Sequence, residues 1–270
     1  MIWLGPAGIP TVAKGSSSID GIKAVSELKL NAMEIEFVRG VKMGNEMAKK
    51  VGDVAKELGI RLSVHAPYFI NLSSAEKIKI EQSKRRILDS VERAHLMHAD
   101  IVVIHPGYYG KLDPEETYEL TRDACRDMID KMKSKKIKDV KLGLETSGKH
   151  SQFGTLDEVV KIHKELKKCV PVVDFAHMFA RELGRIDYGK TIAKLKKLKL
   201  KHYHTHFSNI EFSDKGERWH LVLDKKPPFE PLAKEILRKK LNITIISESP
   251  ILEQDSLKMK RIFQRLGYSF

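Results

Sequence analysis

Seven imidazole or carboxylate side chains fall at or just past the ends of short apolar runs. His65 closes RLSVH, His105 follows DIVVI and Glu145 closes KLGLE. Asp174 closes VPVVD with His177 three residues on, His206 lies at the end of KHYHTH, and Glu248 follows ITIIS. Imidazole with carboxylate and no thiolate is the ligand set of hydrolytic Zn²⁺, or of Mn²⁺ and Fe²⁺, and a carboxylate can bridge two ions a few ångströms apart. Asp174 and His177 can both face one site only if the run turns at once into a helix. His202, His204 and His206 alternate, so strand period two puts them on one face, His206 nearest the exit and the others deeper. Taken singly, each residue reads equally well as a hydrogen-bonded polar core residue. Taken together they read as ligands. His95, His98 and His163 carry helical spacing and read as helix surface, while His150 stays open. Tyr68, beside His65 in HAPYF, reads either as a stacking surface for a substrate ring or sugar or as packing.

Side chains so far apart in sequence meet only if the ends of their elements meet. Short Val- and Ile-rich runs alternate with longer amphipathic segments: IWLGP, AMEIEF, RLSVHAP, DIVVIHPG, KLGLET, VPVVDFAH, KHYHTHFS and ITIISESP. About eight such runs close a parallel α/β barrel, and in a TIM (β/α)8 barrel the loops after the strands build the active site. Helix starts are legible between them: Asp113 before Pro114 and two glutamates, and Thr155 with Glu158 as a capping box. No Pro-, Gly- or Ser-rich linker interrupts the alternation, so residues 1–270 read as one domain.

Lys and Arg number 49 against 36 Asp and Glu, a net charge of +13. Such a surplus suits a polyanionic partner such as nucleic acid, although Lys- and Glu-rich surfaces also accompany growth at high temperature. The clusters KMKSKKIKD and KLKKLKLK read as solvated helix faces. Cys125 and Cys169, in helical or helix-end contexts, form no metal-binding pair and no disulfide framework. The opening MIWLGPAGIP lacks a signal peptide's basic head and long apolar core, and no run reaches the roughly 20 apolar residues of a membrane helix. The expectation is a cytoplasmic protein with no membrane partner.

SVHAPYFINLS, VVIHPG, LET, VVDFAH, HFSN and SESP, in this order and spacing, resemble endonuclease IV, the zinc-dependent apurinic/apyrimidinic (AP) endonuclease family within the xylose-isomerase-like barrels. The resemblance implies a Zn²⁺ centre of two or three ions, Mn²⁺ being the alternative, with Glu145 as the catalytic bridging carboxylate. His65 and His105 would complete one ion. Asp174, His206 and Glu248 would hold the second, and His177 and His220 the third. It further implies a monomer that cleaves DNA 5′ to abasic sites in base excision repair, leaving a 3′-hydroxyl. This chain departs from the family twice. Where the family places Asp and His two apart, GERWH has Glu217 and His220 three apart, with Arg218 where the Asp would align. The expectation is a weakened third ion, with Arg218 supplying a fixed positive charge to substrate phosphate. The loop FVRGVKMGN lacks the family's Asn- and Arg-bearing DNA-penetrating segment, leaving Arg39 and Lys42 as substitute phosphate contacts.

Two other function classes compete. A sugar isomerase or epimerase on the same barrel would need two carboxylate-rich metal or proton-transfer sites and no basic surface. A nucleic-acid-binding protein without chemistry would tolerate the altered third site. The histidine-rich ligand set and the positive charge favour phosphodiester hydrolysis.

Overall fold

Each apolar run forms a strand in the computed structural model, which describes residues 1–270. The strands are β1 (Ile2–Pro6), β2 (Ala32–Glu36), β3 (Arg61–His65), β4 (Ile101–Ile104), β5 (Lys141–Glu145), β6 (Cys169–Asp174), β7 (Tyr203–Phe207) and β8 (Ile243–Ser247). They pair in parallel in the order β1-β8-β7-β6-β5-β4-β3-β2. A parallel bridge between Ala7 and Glu34, with Gly8 N–H donating to the Glu34 carbonyl at 2.9 Å, brings β1 back to β2. The sheet is a nearly closed TIM barrel with helices outside, so all strand exits lie at one rim. No helix is long and apolar enough to cross a membrane.

The helix starts follow their local chemistry. Asp113 accepts from Glu116 N–H at 2.8 Å while the Glu116 carboxylate accepts from Asp113 N–H at 3.2 Å, and Pro114 opens the helix Pro114–Ser134. Thr155 and Glu158 form the reciprocal pair before the helix Leu156–Glu165. The main core lies between the sheet and these helices, built from residues such as Met33, Leu62, Val102 and Phe263. Inside the barrel, Ile101, Val103, Val170 and Val172 form a separate apolar cluster on the β4–β6 side. The β2, β3 and β7 side carries Glu34, Ser63 and His204.

Three local expectations are corrected. His163 is buried, not surface: Nδ1–H donates to the Cys169 carbonyl at 2.7 Å, fastening its helix to the start of β6. Cys169 opens a strand rather than a helix end; both cysteines are free and buried. His98 lies beyond the helix Lys77–Leu96 at φ 57°, in a turn. His95 is on the surface, 2.8 Å from Asp139.

Closure depends on Gly5. A Cβ there would stand 1.6 Å from the Ala32 carbonyl oxygen, so the β1–β2 seam has no room for a methyl group. Gly5→Ala is expected to cost about 3 kcal/mol or more, lowering the thermal midpoint by roughly 6–12 °C. Gly44→Ala, where nothing lies within 4 Å of the new Cβ, is the control and should stay near the parent. Equal melting of Gly5→Ala and parent would show that β1 and β2 can separate freely.

Candidate metal centre

Because the strands are parallel and of similar length, their last inward residues converge. Glu145 ends β5 with its side chain fully buried, and its two oxygens face different groups. Oε2 lies 3.3 Å from His65 Nε2 and 3.2 Å from His105 Nε2. Oε1 lies 3.1 Å from His206 Nδ1 and 3.2 Å from His177 Nδ1. Glu248, just past β8, reaches His206 Nδ1 at 3.1 Å and His220 Nε2 at 3.5 Å.

β6 turns directly into the helix Phe175–Arg181. Asp174 caps that helix, its Oδ1 accepting from His177 N–H at 2.6 Å, so both side chains are delivered to the rim. Arg181, one turn further on, donates to the carbonyls of Lys149 and Gln152 at 2.7 and 2.9 Å and ties the helix to the loop after β5.

The segment GERWH lies in a strand. Asn209–Ser213 and Gly216–Leu221 pair as an antiparallel hairpin in which Trp219 opposes Glu211 and Glu217 opposes Phe212. Arg218 is the extra residue of a bulge. In a regular strand residues three apart face opposite sides; the bulge resets the alternation and lets Glu217 and His220 share one. Gly216, at φ 96°, and Gly148 bring this hairpin against the loop after β5. A Cβ on Gly216 would lie 2.2 Å from the Gly148 carbonyl, and one on Gly148 would meet Glu217. Glu217 Oε2 thereby stands 3.6 Å from His177 Nε2.

Ligand atoms within 4.8 Å of one another define four groups: His65, His105 and Glu145; Glu145, Asp174, His206 and Glu248; His177, Glu217 and His220; and Glu34, His204 and His206. The first three contain every metal ligand expected from sequence. The fourth lies deeper. Glu34 Oε2 accepts from Ser63 at 2.7 Å and pairs with His204 Nε2 at 2.9 Å, while Oε1 lies 3.0 Å from His206 Nε2. Sequence reasoning passed over Glu34 and Glu36, although two glutamates at alternate positions of the apolar run AMEIEF were the available signal. His202 precedes β7, at the end away from the rim, 2.7 Å from Thr244 Oγ1.

The imidazoles are oriented for cations. His65 Nδ1–H donates to the Ala66 carbonyl at 2.9 Å and His177 Nδ1–H to the Thr146 carbonyl at 3.0 Å, so each Nε2 faces a carboxylate, with a proton or a metal ion required between nitrogen and oxygen. Carbonyl-anchored imidazoles whose other nitrogen faces a carboxylate are a common setting of metal ligands, the cation taking the place of the proton. Asp174 Oδ2 and Glu248 Oε2 are buried without a hydrogen-bond partner. Burial opposes charge throughout. It pushes Asp174 and Glu36 up to about 8. On His65 burial is outweighed by Glu36, Glu145 and Glu34, which raise it to about 10. The donor set fits divalent metal: no imidazole N–H makes a hydrogen bond to the orphaned oxygens, and cations would satisfy them.

A cavity of about 500 Å³ opens over these groups, lined by Tyr68, Tyr108, Lys149, Arg218 and Trp219 as well as the acids and imidazoles. Tyr68 and Trp219 are more than half exposed, and Arg218 lies over the Trp219 ring at 5.8 Å. Arg39 and Lys42 are exposed on the loop after β2, outside this lining. His150 bonds the Arg181 carbonyl at 2.7 Å and stays apart from the ligand groups. A larger cleft of about 620 Å³ beside Thr155 and Lys190 holds no histidine.

Residues 22–264 match the family described as xylose isomerase-like TIM barrel. An uncharacterized protein of Methanocaldococcus jannaschii is 34% identical over 275 aligned positions, covering 98% of each chain. A probable endonuclease 4 of Malacoplasma penetrans is 27% identical over 74% of this chain and 71% of its own. Among solved structures, endonuclease IV from Thermus thermophilus superposes with TM-score 0.70 at 17% identity, covering 96% of this chain and 98% of its own. A D-tagatose 3-epimerase-like protein does so with TM-score 0.69 at 18% identity, covering 96% of each.

Since buried acids without counter-charge destabilise the native state, divalent metal should raise the thermal midpoint of chelator-stripped protein. Zinc at 100 times its dissociation constant adds about 2.7 kcal/mol for one site, which calorimetry reads as a rising midpoint across a zinc titration. A midpoint indifferent to zinc would mean that protons alone neutralise the acids.

Proposed function

The chain belongs to the xylose isomerase-like TIM barrel family, and we propose that it is a metal-dependent phosphodiesterase that cleaves DNA 5′ to abasic sites. The observation carrying this reading is that two ligand groups share one carboxylate, Glu145, with a third group, His177, Glu217 and His220, beside them at the same cavity. His65, His105 and Glu145 would hold one Zn²⁺. Asp174, His206 and Glu248 would hold a second with Glu145, and His177, Glu217 and His220 would hold a third. Bound there, such ions would supply an activated water at neutral pH and neutralise charge on the phosphoryl oxygens. Glu145 keeps the first two sites in register, and the carbonyls of Ala66 and Thr146 hold His65 and His177 in the ligating tautomer. Lys149 and Arg218, on the cavity wall, attract the phosphates, and the net charge of +13 favours approach of a polyanion.

One observation favours a second reading. Glu145, Asp174, His206 and Glu248 by themselves suffice for a single cation, and two of their carboxylates could carry protons as well as ligate, as a sugar epimerase would need. That reading leaves the other two groups at the rim without use, so the phosphodiesterase stands ahead of it.

Metal analysis of purified protein, cleavage of a duplex bearing one abasic site, and incubation with D-tagatose separate the two. Two or three zinc ions with cleavage on the 5′ side is the expected result; one ion with sugar turnover and no cleavage would reverse the order. Glu145→Gln should lower cleavage about a thousandfold or more while the circular dichroism spectrum is retained, since the neutral amide fills the same space without bridging two cations. His95→Ala should cleave like the parent. The third ion should be the exchangeable one: Glu217 and His220 are 18% and 26% exposed, whereas Glu145 and His206 are fully buried. Zinc titration should show two tight ions and a third that Glu217→Ala removes. Three ions of equal affinity would contradict that ranking.

A further inference from the structure

Glu36 ends β2 directly opposite His65 in register, and its side chain lines the cavity. It belongs to none of the ligand groups. Its Oε1 is enclosed and has no hydrogen-bond partner. The neighbouring cavity wall, from Ala7, Val38 and Leu252, is apolar and offers no cation. The cavity's lysine and arginine come from elsewhere, Lys149 from the loop after β5 and Arg218 from the hairpin after β7. In the barrel order β2 stands across from β6, whose exit carries Asp174 and His177. The β1–β2 wall of the cavity is therefore acidic and apolar, bounded by His65 on β3 and Glu248 after β8, and the lysine and arginine side chains stand apart from it.

A phosphate oxygen has only lone pairs to offer Glu36 and belongs on the cationic side. A sugar hydroxyl both donates and accepts, so it fits a carboxyl group whichever charge that group carries. We propose that Glu36 is a specificity-determining residue that hydrogen-bonds a hydroxyl of the substrate sugar. This rests on the phosphodiesterase reading, and there it has a definite target. The ring-closed deoxyribose of an abasic site carries a hydroxyl on C1′, where an intact nucleotide carries its base. Glu36 reads that hydroxyl while the scissile phosphate lies toward His177 and Arg218, and Tyr68, which lines the same cavity, covers the sugar face.

A tetrahydrofuran site has the same ring and phosphates but no C1′ hydroxyl, so it isolates the contact. Duplexes carrying one natural abasic or one tetrahydrofuran site are compared by kcat/KM with the zinc-loaded parent, Glu36→Gln and Glu36→Leu. The parent should prefer the abasic duplex by about 10- to 100-fold, the range of a hydrogen bond to a charged group. Glu36→Leu should lose the preference by slowing on the abasic duplex alone, with zinc content unchanged. Glu36→Gln, which keeps an acceptor and gains a donor, should retain part of it. Equal rates of the parent on both duplexes, or an undiminished preference in Glu36→Leu, would overturn the assignment while leaving the phosphodiesterase reading standing. Loss of zinc from Glu36→Leu would overturn it in favour of a ligand role. Cleavage of neither duplex by the parent would overturn the phosphodiesterase reading and this assignment together.

Discussion

The burial of Glu145 is the constraint on which the rest of this structure depends. A carboxylate taken fully out of water costs several kcal/mol unless positive charge and hydrogen bonds replace its hydration. Here it is surrounded by His65, His105, His177 and His206, drawn from four different strand exits. Those four imidazoles must arrive within about one hydrogen-bond length of a single side chain. Parallel strands ending at a common rim achieve this with little else required, and the Gly5 contact that lets β1 approach β2 completes the rim.

The barrel interior is divided to support that arrangement. Ile101, Val103, Val170 and Val172 fill one side with apolar volume, so no polar group there competes for the ligands. On the other side Glu34, held by Ser63 and His204, faces His206 from below. An imidazole with a carboxylate behind it presents its other nitrogen in a fixed direction, which is how outer partners commonly orient metal ligands. Glu34 thus links the deep barrel to the rim.

The hairpin after β7 solves a different problem. Its strand must deliver Glu217 and His220 to His177 although regular alternation would separate them, and the bulge at Arg218 restores their common face. Gly148 and Gly216 permit the close approach that the bulge then uses. The same bulge turns Arg218 and Trp219 toward the cavity mouth, where a cation and an aromatic face meet an incoming substrate.

Much of this was legible in the chain itself. Strand period and Val/Ile content located eight strands, because a parallel strand buried on both faces must be apolar along its length. The capping pairs at Asp113 and Thr155 located helix starts because they act within four residues. A polar residue ending an apolar run, as at His65, Glu145 and Asp174, stands out for the same local reason. Resemblance ordered those residues into ligand groups, and geometry alone assembled them. Glu34 and Glu36 went unread because a charge within an apolar strand acquires meaning only from what faces it across the barrel. His163 looked like helix surface because helical spacing does not say which side a neighbouring strand will cover. The sharing of one face by Glu217 and His220 depends on a bulge, which is a property of paired strands and not of either one. What acts over a few residues was determined by the sequence; what requires two elements to meet was decided by the tertiary structure, since burial and register exist only between elements.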